Sequence, residues 1–456
     1  MGKFALVIIL LTAFCSFAAA DNEKGLFSTN YFKKIQKMEK SSQALSDESQ
    51  TKDWSIMIYG CLDAEEGIES GFLKEFYQIA GFGNAQGKAH IAAQLDFRTA
   101  SKRETSRYYL KKDELHVRGK FANVNTGNPE TLSSFLAWAM QYPANHRMLF
   151  ILGHGTGWMS LVGPGSITAG NIVPGQQKSF GYDHGSEDCL TLTEAGAIFE
   201  QVLGSKKIDI LAFRSCLMNQ VETALQLEPF FNYFVASQSS QVTINEGFLT
   251  TILGVEGGFE TDILQCIASG DASPVKTARA MYTSLLKTNT KITDLAKMDF
   301  EIACLDLPKL KQAVSMIKPV FAQLSTDLKT KPETTKELLA SARKDTPKFG
   351  GMFEGMYTTK PDDYEYIDLG VLLAGLGAKG FMPEETAACC AAIEEAVIAK
   401  RNGSDRAGSF ATAIFMFPTH EKLTPLYQKL IEGFYAKLDF CTQTSWDEVL
   451  HAYYGL

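Results

Sequence analysis

The chain reads as an α/β protein, a mostly parallel central sheet with helices on both faces and a helix-rich C-terminal extension. Three observations lead there. From Trp54 onward, short apolar runs alternate with amphipathic stretches, the pattern of strand-helix-strand units whose strands are buried on both faces. Two of these runs, Phe150-Ile-Leu-Gly-His154-Gly155-Thr-Gly-Trp158 and Asp209-Ile-Leu-Ala-Phe-Arg214-Ser-Cys216-Leu-Met218, stop at reactive side chains, as strands do at the carboxyl edge of an open α/β sheet. With 456 residues and 45% hydrophobic content, the chain can bury a sizeable core, and its length favours more than one structural unit.

Residues 1–20 read as a signal peptide. Lys3 precedes an apolar run from Phe4 to Phe17, followed by Ala18-Ala-Ala20 before Asp21, the charged start, short apolar stretch and small-residue cleavage site of secretory signals. The expected location is secreted or periplasmic. Leu6 stands where a myristoylation signal needs Ser or Thr, and bulky Phe14 before Cys15 argues against a lipoprotein anchor. No later segment reaches about 18 uninterrupted apolar residues, so no membrane span is expected.

Residues 21–52, with Ser41-Ser42-Gln43 and Ser46-Asp-Glu-Ser49, read as a polar leader or pro-segment. A core over 53–260 follows. Its order is strand Ser55 to Tyr59, helix Glu66 to Ile79, strand His90 to Leu95, a hairpin over Arg107 to Val117, and helix Pro129 to Tyr142. Strand Arg147 to Leu152 leads to His154. A helix from Glu194 to Leu203 capped by Thr193, strand Ile208 to Phe213, helix Asn219 to Leu227 and strand Tyr233 to Ser237 complete it. Between them, Ser160 to Asp188 is rich in glycine and polar residues and reads as one long irregular loop. Residues 261–456 read as an α/β region packed on the core. Its helices are expected over Val275 to Leu286, Leu307 to Leu324, Thr334 to Ala342 and Glu384 to Ile398, its strands over Ile302 to Leu305 and Ala411 to Phe417.

The formal net charge of -8 leaves no basic footprint for nucleic acid or an anionic membrane surface. Nine cysteines are present, eight after loss of Cys15 with the signal. The one close pair is the vicinal Cys389-Cys390, which has no zinc-ligand spacing. At most a few disulfides are expected, and no metal site stands out. Asp362-Asp363-Tyr-Glu365 lacks a recognisable calcium-loop motif and reads as a solvated acidic turn. Asn402-Gly-Ser404 is the only glycosylation sequon. Nothing in the sequence sets the oligomeric state.

His154 and Cys216 are the candidate reactive pair. Alone, each has an ordinary reading, a loop histidine and a buried thiol. Each following its own strand, they meet if the strands are neighbours, because adjacent strands lie about 4.8 Å apart. A thiol attacks as the thiolate and needs a base or a positive field. His154 can take the proton, and a helix beginning at Asn219 would favour a negative sulfur. Gly153, Gly155 and Gly157 clear side chains from around the histidine, and the Gly155 and Cys216 backbone N–H groups are the candidate donors to an oxyanion.

These residues resemble the clostripain-type cysteine peptidases, relatives of caspases, gingipains and legumains. The likeness is carried by Gly-His154-Gly155-x-Gly-Trp158 and by the family's Asp-x-Cys-Leu-Met around Cys216. It extends to Trp54-Ser-Ile-Met-Ile-Tyr59 with Asp63, Gln94-Leu-Asp96, Val221-Glu222-Thr-Ala224, Val235-Ala-Ser237, Tyr366-Ile-Asp368-Leu-Gly370 and Phe415-Met-Phe-Pro418. The resemblance implies a caspase-like α/β/α sandwich and a Cys/His dyad working through a thioester on peptide or protein substrates. Calcium is the one cofactor it suggests. It also implies an internal activating cut between His154 and Thr193, with Lys178 the basic candidate; if Arg214 changes the specificity, Asp183, Glu187 or Asp188 are equally reasonable, or no self-cleavage occurs.

One departure bears on specificity. The family's aspartate two residues before the cysteine, which helps grip a basic side chain, is Arg214 here, and a second pocket acid corresponds to Glu246. Arg214 has three readings: pointing into the pocket and favouring an acidic side chain, pairing with Glu246, or turned outward and solvated. The resulting expectation is an exported cysteine endopeptidase with specificity altered from basic. The alternative is a catalytically silent caspase-like protein that holds peptides, and a third course is ligation or strictly self-directed cleavage.

Overall fold

A computed structural model of the chain describes residues 31–63, 73–158, 179–241, 261–296, 301–350, 364–417 and 424–456, apart from a few single or paired positions inside those ranges. The strands of its first half are β1 (Glu39–Lys40), β2 (Lys52–Cys61), β3 (Ala89–Thr99), β4 (Lys102–Lys111), β5 (Glu114–Ala122), β6 (Ala144–Leu152), β7 (Phe180–Asp183) and β8 (Asp188–Leu190). Those of the second are β9 (Ile208–Arg214), β10 (Phe231–Ala236), β11 (Ile302–Asp306), β12 (Lys348–Phe349), β13 (Tyr366–Asp368), β14 (Val397–Arg401) and β15 (Ala413–Phe415). Ten of them form one sheet in the order β1-β5-β4-β3-β2-β6-β9-β10-β11-β14. The run from β3 to β10 is parallel throughout, with antiparallel strands on both sides of it.

The parallel strands bury both faces, as their continuous apolar runs require. Ile56, Ile58, Met148, Phe150, Ile210 and Ala212 point to one core, and Met57, Tyr59, Leu149, Ile151, Leu211 and Phe213 to the other. This period-2 division is the strand geometry itself. Helices α1 (Pro129–Ala139), α2 (Leu192–Leu203) and α3 (Val221–Leu227) cover the second face with Leu132, Phe135, Phe199 and Val221. Helices α4 (Thr261–Ser269) and α5 (Pro274–Ala296) cover the first with Ile263, Ile267, Met281 and Leu285.

The sheet continues past residue 260 through β11 and β14. Helix α6 (Leu307–Thr330) joins the core of α2 and α3 through Leu310, Val314 and Ile317, and α7 (Pro332–Asp345), α8 (Leu369–Ala378) and α9 (Pro383–Ala396) pack beside it. The small sheet β12-β13-β15 lies in the same core through Phe349, Tyr366 and Phe415. At the other end of the chain, residues 31–38 are helical with Ile35 buried, and β1 pairs in parallel with β5. The fold class expected from the sequence is the one observed.

Several boundaries differ from expectation for local reasons. Helix α2 starts at Leu192, because Thr191 accepts from the Glu194 amide and Glu194 reaches back to the Thr191 amide, a reciprocal cap; the expected cap, Thr193, is exposed on the first turn. Helix α9 gives way to β14 at Val397, so the expected helical end at Ile398 belongs to a strand. The expected loop ends in the β7–β8 hairpin, and its part from Ser160 to Lys178 lies outside the described residues. Helix α3 starts at Val221, not Asn219. Cys216 therefore sits five residues before it, and a helix field falls off within the terminal turn, so the expected dipole assistance to the sulfur is absent.

The cap predicts a selective effect. Thr191→Ala should destabilise the protein by about 1 kcal/mol and Thr193→Ala by under about 0.5 kcal/mol, measured by denaturant unfolding; equal effects would place the helix start elsewhere.

Candidate active site

Strands β6 and β9 are parallel neighbours whose last registered pair is Leu152 with Arg214. His154 and Cys216 each lie two residues beyond that pair, so the two loops leave the sheet side by side. Their approach is tight. A methyl placed on Gly155 would sit 2.7 Å from the Cys216 carbonyl oxygen, 2.8 Å from Ser215 Cβ and 2.9 Å from Met218 Sδ, inside van der Waals contact and against backbone that cannot yield cheaply. Behind the histidine, the Gly181 amide donates to the His154 carbonyl at 3.2 Å and the Thr156 amide to the Ser179 carbonyl at 3.0 Å. This bridge to β7 is built by the neighbours of Gly155 and does not use the Gly155 N–H. The half-buried His154 ring packs 6.3 Å from Tyr182 and 6.4 Å from His184.

The cysteine turn is held from the opposite side. Leu217 takes a positive φ of 59°, a conformation that non-glycine residues adopt only where surrounding contacts impose it. Its amide donates to the Ser239 carbonyl at 3.1 Å, and the Asn219 amide to the Ser237 carbonyl at 2.9 Å. Residues 217–219 thus run along 237–239, past the end of β10. The Gln241 amide then donates to Cys216 Sγ at 3.1 Å, and the thiol donates to the Gln241 carbonyl at 3.5 Å, so one residue offers the sulfur both a donor that suits a thiolate and an acceptor that suits a thiol.

Cys216 differs from six of the other described thiols. All eight described cysteines are free, without disulfides. Burial pushes the thiols of Cys61, Cys266, Cys304, Cys389, Cys390 and Cys441 upward, Cys304 to about 12 and the vicinal pair to about 11. Those groups stay protonated and inert. Cys216 is half-buried, at the sheet edge, and faces an amide donor.

Arg214 is 2% exposed, which excludes the outward, solvated reading. Its Nη1 donates to Gln241 Oε1 at 2.7 Å, while Gln241 Nε2 donates to the carbonyls of Phe213 and Ser215 at 3.3 and 3.1 Å. Gln241, which sequence reasoning passed over, therefore contacts both the guanidinium and the cysteine sulfur. Glu246 lies outside the described residues.

Four further residues tie the loops to the fold. Gln220 Oε1 accepts from the Trp158 amide at 2.9 Å and occupies the space beside Gly157, where a side chain on this positive-φ glycine would overlap it. Tyr366 Oη donates to the Thr156 carbonyl at 2.9 Å, two residues from His154. Asp368, fully buried, accepts from Gln238 Nε2, Ser409 Oγ and the Val371 and Phe410 amides, anchoring the segment that lines Cys216. Glu222 Oε1 accepts from Tyr435 Oη at 2.6 Å and the Phe415 amide at 2.8 Å, and burial pushes its carboxyl up to about 7.

A second polar cluster sits behind the histidine. Asp63, Asp96 and Asp183 are fully buried with carboxylate oxygens within 4.8 Å of one another. Burial, opposed by the Thr105 hydroxyl and reinforced by the two neighbouring carboxylates, pushes Asp96 up to about 8. Of the positions considered for an internal cut, Asp183 is fully buried. Glu187 is exposed on the β7–β8 turn, Asp188 is half-buried, and Lys178 lies outside the described residues. Asp362 and Asp363 are outside them as well. Among the described residues, no helix is long and apolar enough to cross a membrane.

A three-layer sheet with a histidine and a half-exposed cysteine on adjacent strand ends defines a caspase-like cysteine-type peptidase. The chain belongs to the clostripain family, whose model matches residues 79–453. Two solved structures share the fold. One is an inactive zymogen C11 protease from Parabacteroides distasonis, with 16% identity, a TM-score of 0.57, and 87% of this chain and 99% of that one covered. The other is a secreted C11 cysteine protease from Bacteroides thetaiotaomicron in complex with an irreversible peptide inhibitor, with 14% identity, a TM-score of 0.57 and the same coverage. No curated protein matches the chain in sequence.

Two outcomes follow from the packing. Gly155→Ala should cost at least about 10-fold in kcat/KM while the protein stays folded by circular dichroism. The sign of the Glu222 effect comes from its folded value of about 7 against an ordinary 4.5: the folded state holds the proton more tightly, so its contribution is complete below pH 4.5 and lost as pH rises through about 7. The thermal unfolding midpoint of Glu222→Gln should fall less than that of the wild type between those pH values, with the residual slope coming from the other raised carboxyls, Asp96, Asp368, Asp439 and Asp447.

Proposed function

We propose that this clostripain-family peptidase is an exported endopeptidase in which Cys216 is the nucleophile and His154 the general base. Cys216 Sγ attacks the peptide carbonyl as His154 takes the thiol proton, giving a tetrahedral oxyanion facing the Gly155 and Cys216 amides. Collapse of that intermediate breaks the C–N bond, and His154 returns the proton to the departing amine. Water, deprotonated by the same imidazole, then hydrolyses the thioester and restores the thiol. The observation that carries this reading is the meeting of Gly155 with the Cys216 carbonyl beyond the Leu152–Arg214 pair, which leaves no room for a side chain between the two loops. Export is supported by the charged, apolar and small-residue order of residues 1–20.

The specificity pocket is proposed to be altered from basic. Arg214 brings a buried positive charge two residues before the nucleophile and contacts Gln241, whose amide reaches Cys216 Sγ. A guanidinium there opposes a lysine or arginine before the scissile bond and suits a carboxylate.

A mixed peptide library incubated with the mature protein, with every cut end sequenced, tests both parts. Cuts should disappear in Cys216→Ala and His154→Ala, and should follow acidic residues. Arg214→Asp should shift them toward basic ones. Cuts that persist in Cys216→Ala would overturn the nucleophile, whereas wild-type cuts after lysine or arginine would overturn the pocket reading alone. No cuts from any form would favour a protein that only holds peptides.

A further inference from the structure

Residues 31–52 are joined to the sheet at several points. The helix over 31–38 buries Ile35 and sets Phe32 against Phe97 at 5.5 Å, and Glu39 on β1 accepts from Tyr108 Oη and Lys120 Nζ at 2.9 and 2.7 Å. Residues 45–52 then cross the amino ends of β2 and β3, opposite the edge that carries Cys216. Asp47 pairs with Lys52 and Lys111 at 3.4 and 3.2 Å, and Glu48 pairs with Arg118. Against this strap lies His90, a histidine with no solvent exposure.

The hydrogen bonds around His90 run in one direction. Nε2 lies 2.9 Å from the Gln50 carbonyl and Nδ1 2.8 Å from Tyr109 Oη. A carbonyl only accepts, so Nε2 carries the proton and Nδ1 accepts from the Tyr109 hydroxyl. Tyr109 Oη in turn accepts from Lys52 Nζ at 3.2 Å, and Lys52 also donates to the Ala89 carbonyl at 3.3 Å and to Asp47. The series from Lys52 through Tyr109 and His90 to Gln50 closes only with a neutral ring. A second proton would make Nδ1 a donor facing Tyr109 Oη, displace the phenol hydrogen from its acceptor, and put two cations side by side in the interior. Asp47 is the one carboxylate near enough to act on the ring; its other neighbours are the Tyr109 and Tyr142 rings, at 5.8 and 5.5 Å, and the Pro143 carbonyl. Burial, opposed by the Gln50 carbonyl and reinforced by Lys52, holds the His90 imidazole below its usual range.

We propose that residues 45–52 form a strap latched by neutral His90, and that acid releases the strap by protonating that ring. The sign follows from which state accepts the proton. With the strap open, His90 meets water and titrates near its ordinary 6.5; with the strap closed, it refuses the proton to a lower pH. The latch is therefore complete above about pH 6.5, and opening grows by up to about 10-fold per pH unit as the pH falls below that value. The strap's ion pairs do not share this dependence. Burial raises the Asp47 carboxyl, but Lys111 and Lys52 outweigh it and hold the group below its ordinary range, so Asp47 stays charged between pH 7 and pH 5. His116 and His146 lie at the same end of the sheet and contact Glu114 and Asp209. Release uncovers the aromatic cluster of Tyr109, Tyr142 and Trp138, whose rings pack at 4.9 and 5.8 Å.

The test uses the full Cys216→Ala chain, so its result is independent of the peptidase assignment. Hydrogen exchange is followed between pH 7.5 and pH 5 at the Glu48, Gln50 and Lys52 amides, which donate to the Leu45, Asp47 and Pro143 carbonyls, and is corrected for the intrinsic pH dependence of exchange. Protection there should fall by at least about 5-fold from pH 7 to pH 5. Adding His90→Gln, which keeps a neutral donor and acceptor, should remove the fall, whereas His116→Gln should leave it in place. If His90→Gln does not fold, nitrogen NMR of the histidine side chains in the parent replaces it: His90 should be protonated on Nε2 alone at pH 7 and take its second proton over the pH range in which protection is lost. Constant protection in the parent, an equal fall in His90→Gln, or protonation of His90 with the strap still protected would each overturn the latch.

Discussion

The parallel register of β6 against β9 is the constraint on which the rest of the molecule depends. It ends with Leu152 opposite Arg214, and each chain then has two residues in which to leave the sheet. A one-residue slip would turn every side chain of β9 to the other face, putting Leu211 and Phe213 on the wrong core and carrying Cys216 away from the His154 loop. The apolar alternation on both faces therefore does two jobs: it fixes the core and it sets the loops of His154 and Cys216 side by side. Because both faces are buried, the register has little freedom to drift.

Beyond the sheet, the loops are held by polar ties from remote parts of the chain. Gln220 joins the cysteine turn to Trp158, and Tyr366 holds the histidine loop from β13. Asp368 holds the strip beside Cys216 through Gln238, while Glu222 binds α3 to β15 and to Tyr435. These groups are buried and hydrogen-bonded, so losing one partner leaves the other unsatisfied at about 1–3 kcal/mol. The C-terminal region thus acts as the scaffold of the site. This gives a physical account of the landmarks around Tyr366-Ile-Asp368 and Val221-Glu222, which lie far from the cysteine in sequence.

How much of this was legible beforehand depended on the range of the interaction. Buried parallel strands announce themselves as apolar runs, so the fold class and the adjacency of the loops that carry His154 and Cys216 could be read directly. The start of α2 could not be placed from helical periodicity alone, because Thr191 and Thr193 are both reasonable caps and the reciprocal bond from Glu194 chooses between them. The departure at Arg214 was visible, but its partner Gln241 comes from 27 residues further on. Asp63, Asp96 and Asp183 follow no ligand spacing; the pairing of Cys61 with Asp96 and the β7–β8 hairpin bring them together. The expected helix field on Cys216 failed because the chain spends residues 217–220 beside the 237–239 strip before turning into α3.

The proposed chemistry requires Cys216 to react more readily as a thiolate than the other described thiols, with His154 responsible for part of that bias. The most direct measurement is the rate of alkylation by iodoacetamide at each cysteine of the folded protein between pH 5 and pH 8, resolved by peptide mass spectrometry. Cys216 should be labelled first, at a pH below that of an ordinary thiol near 8.5, and His154→Ala should move its profile. Labelling of another cysteine first, or a Cys216 profile unchanged by His154→Ala, would contradict the account.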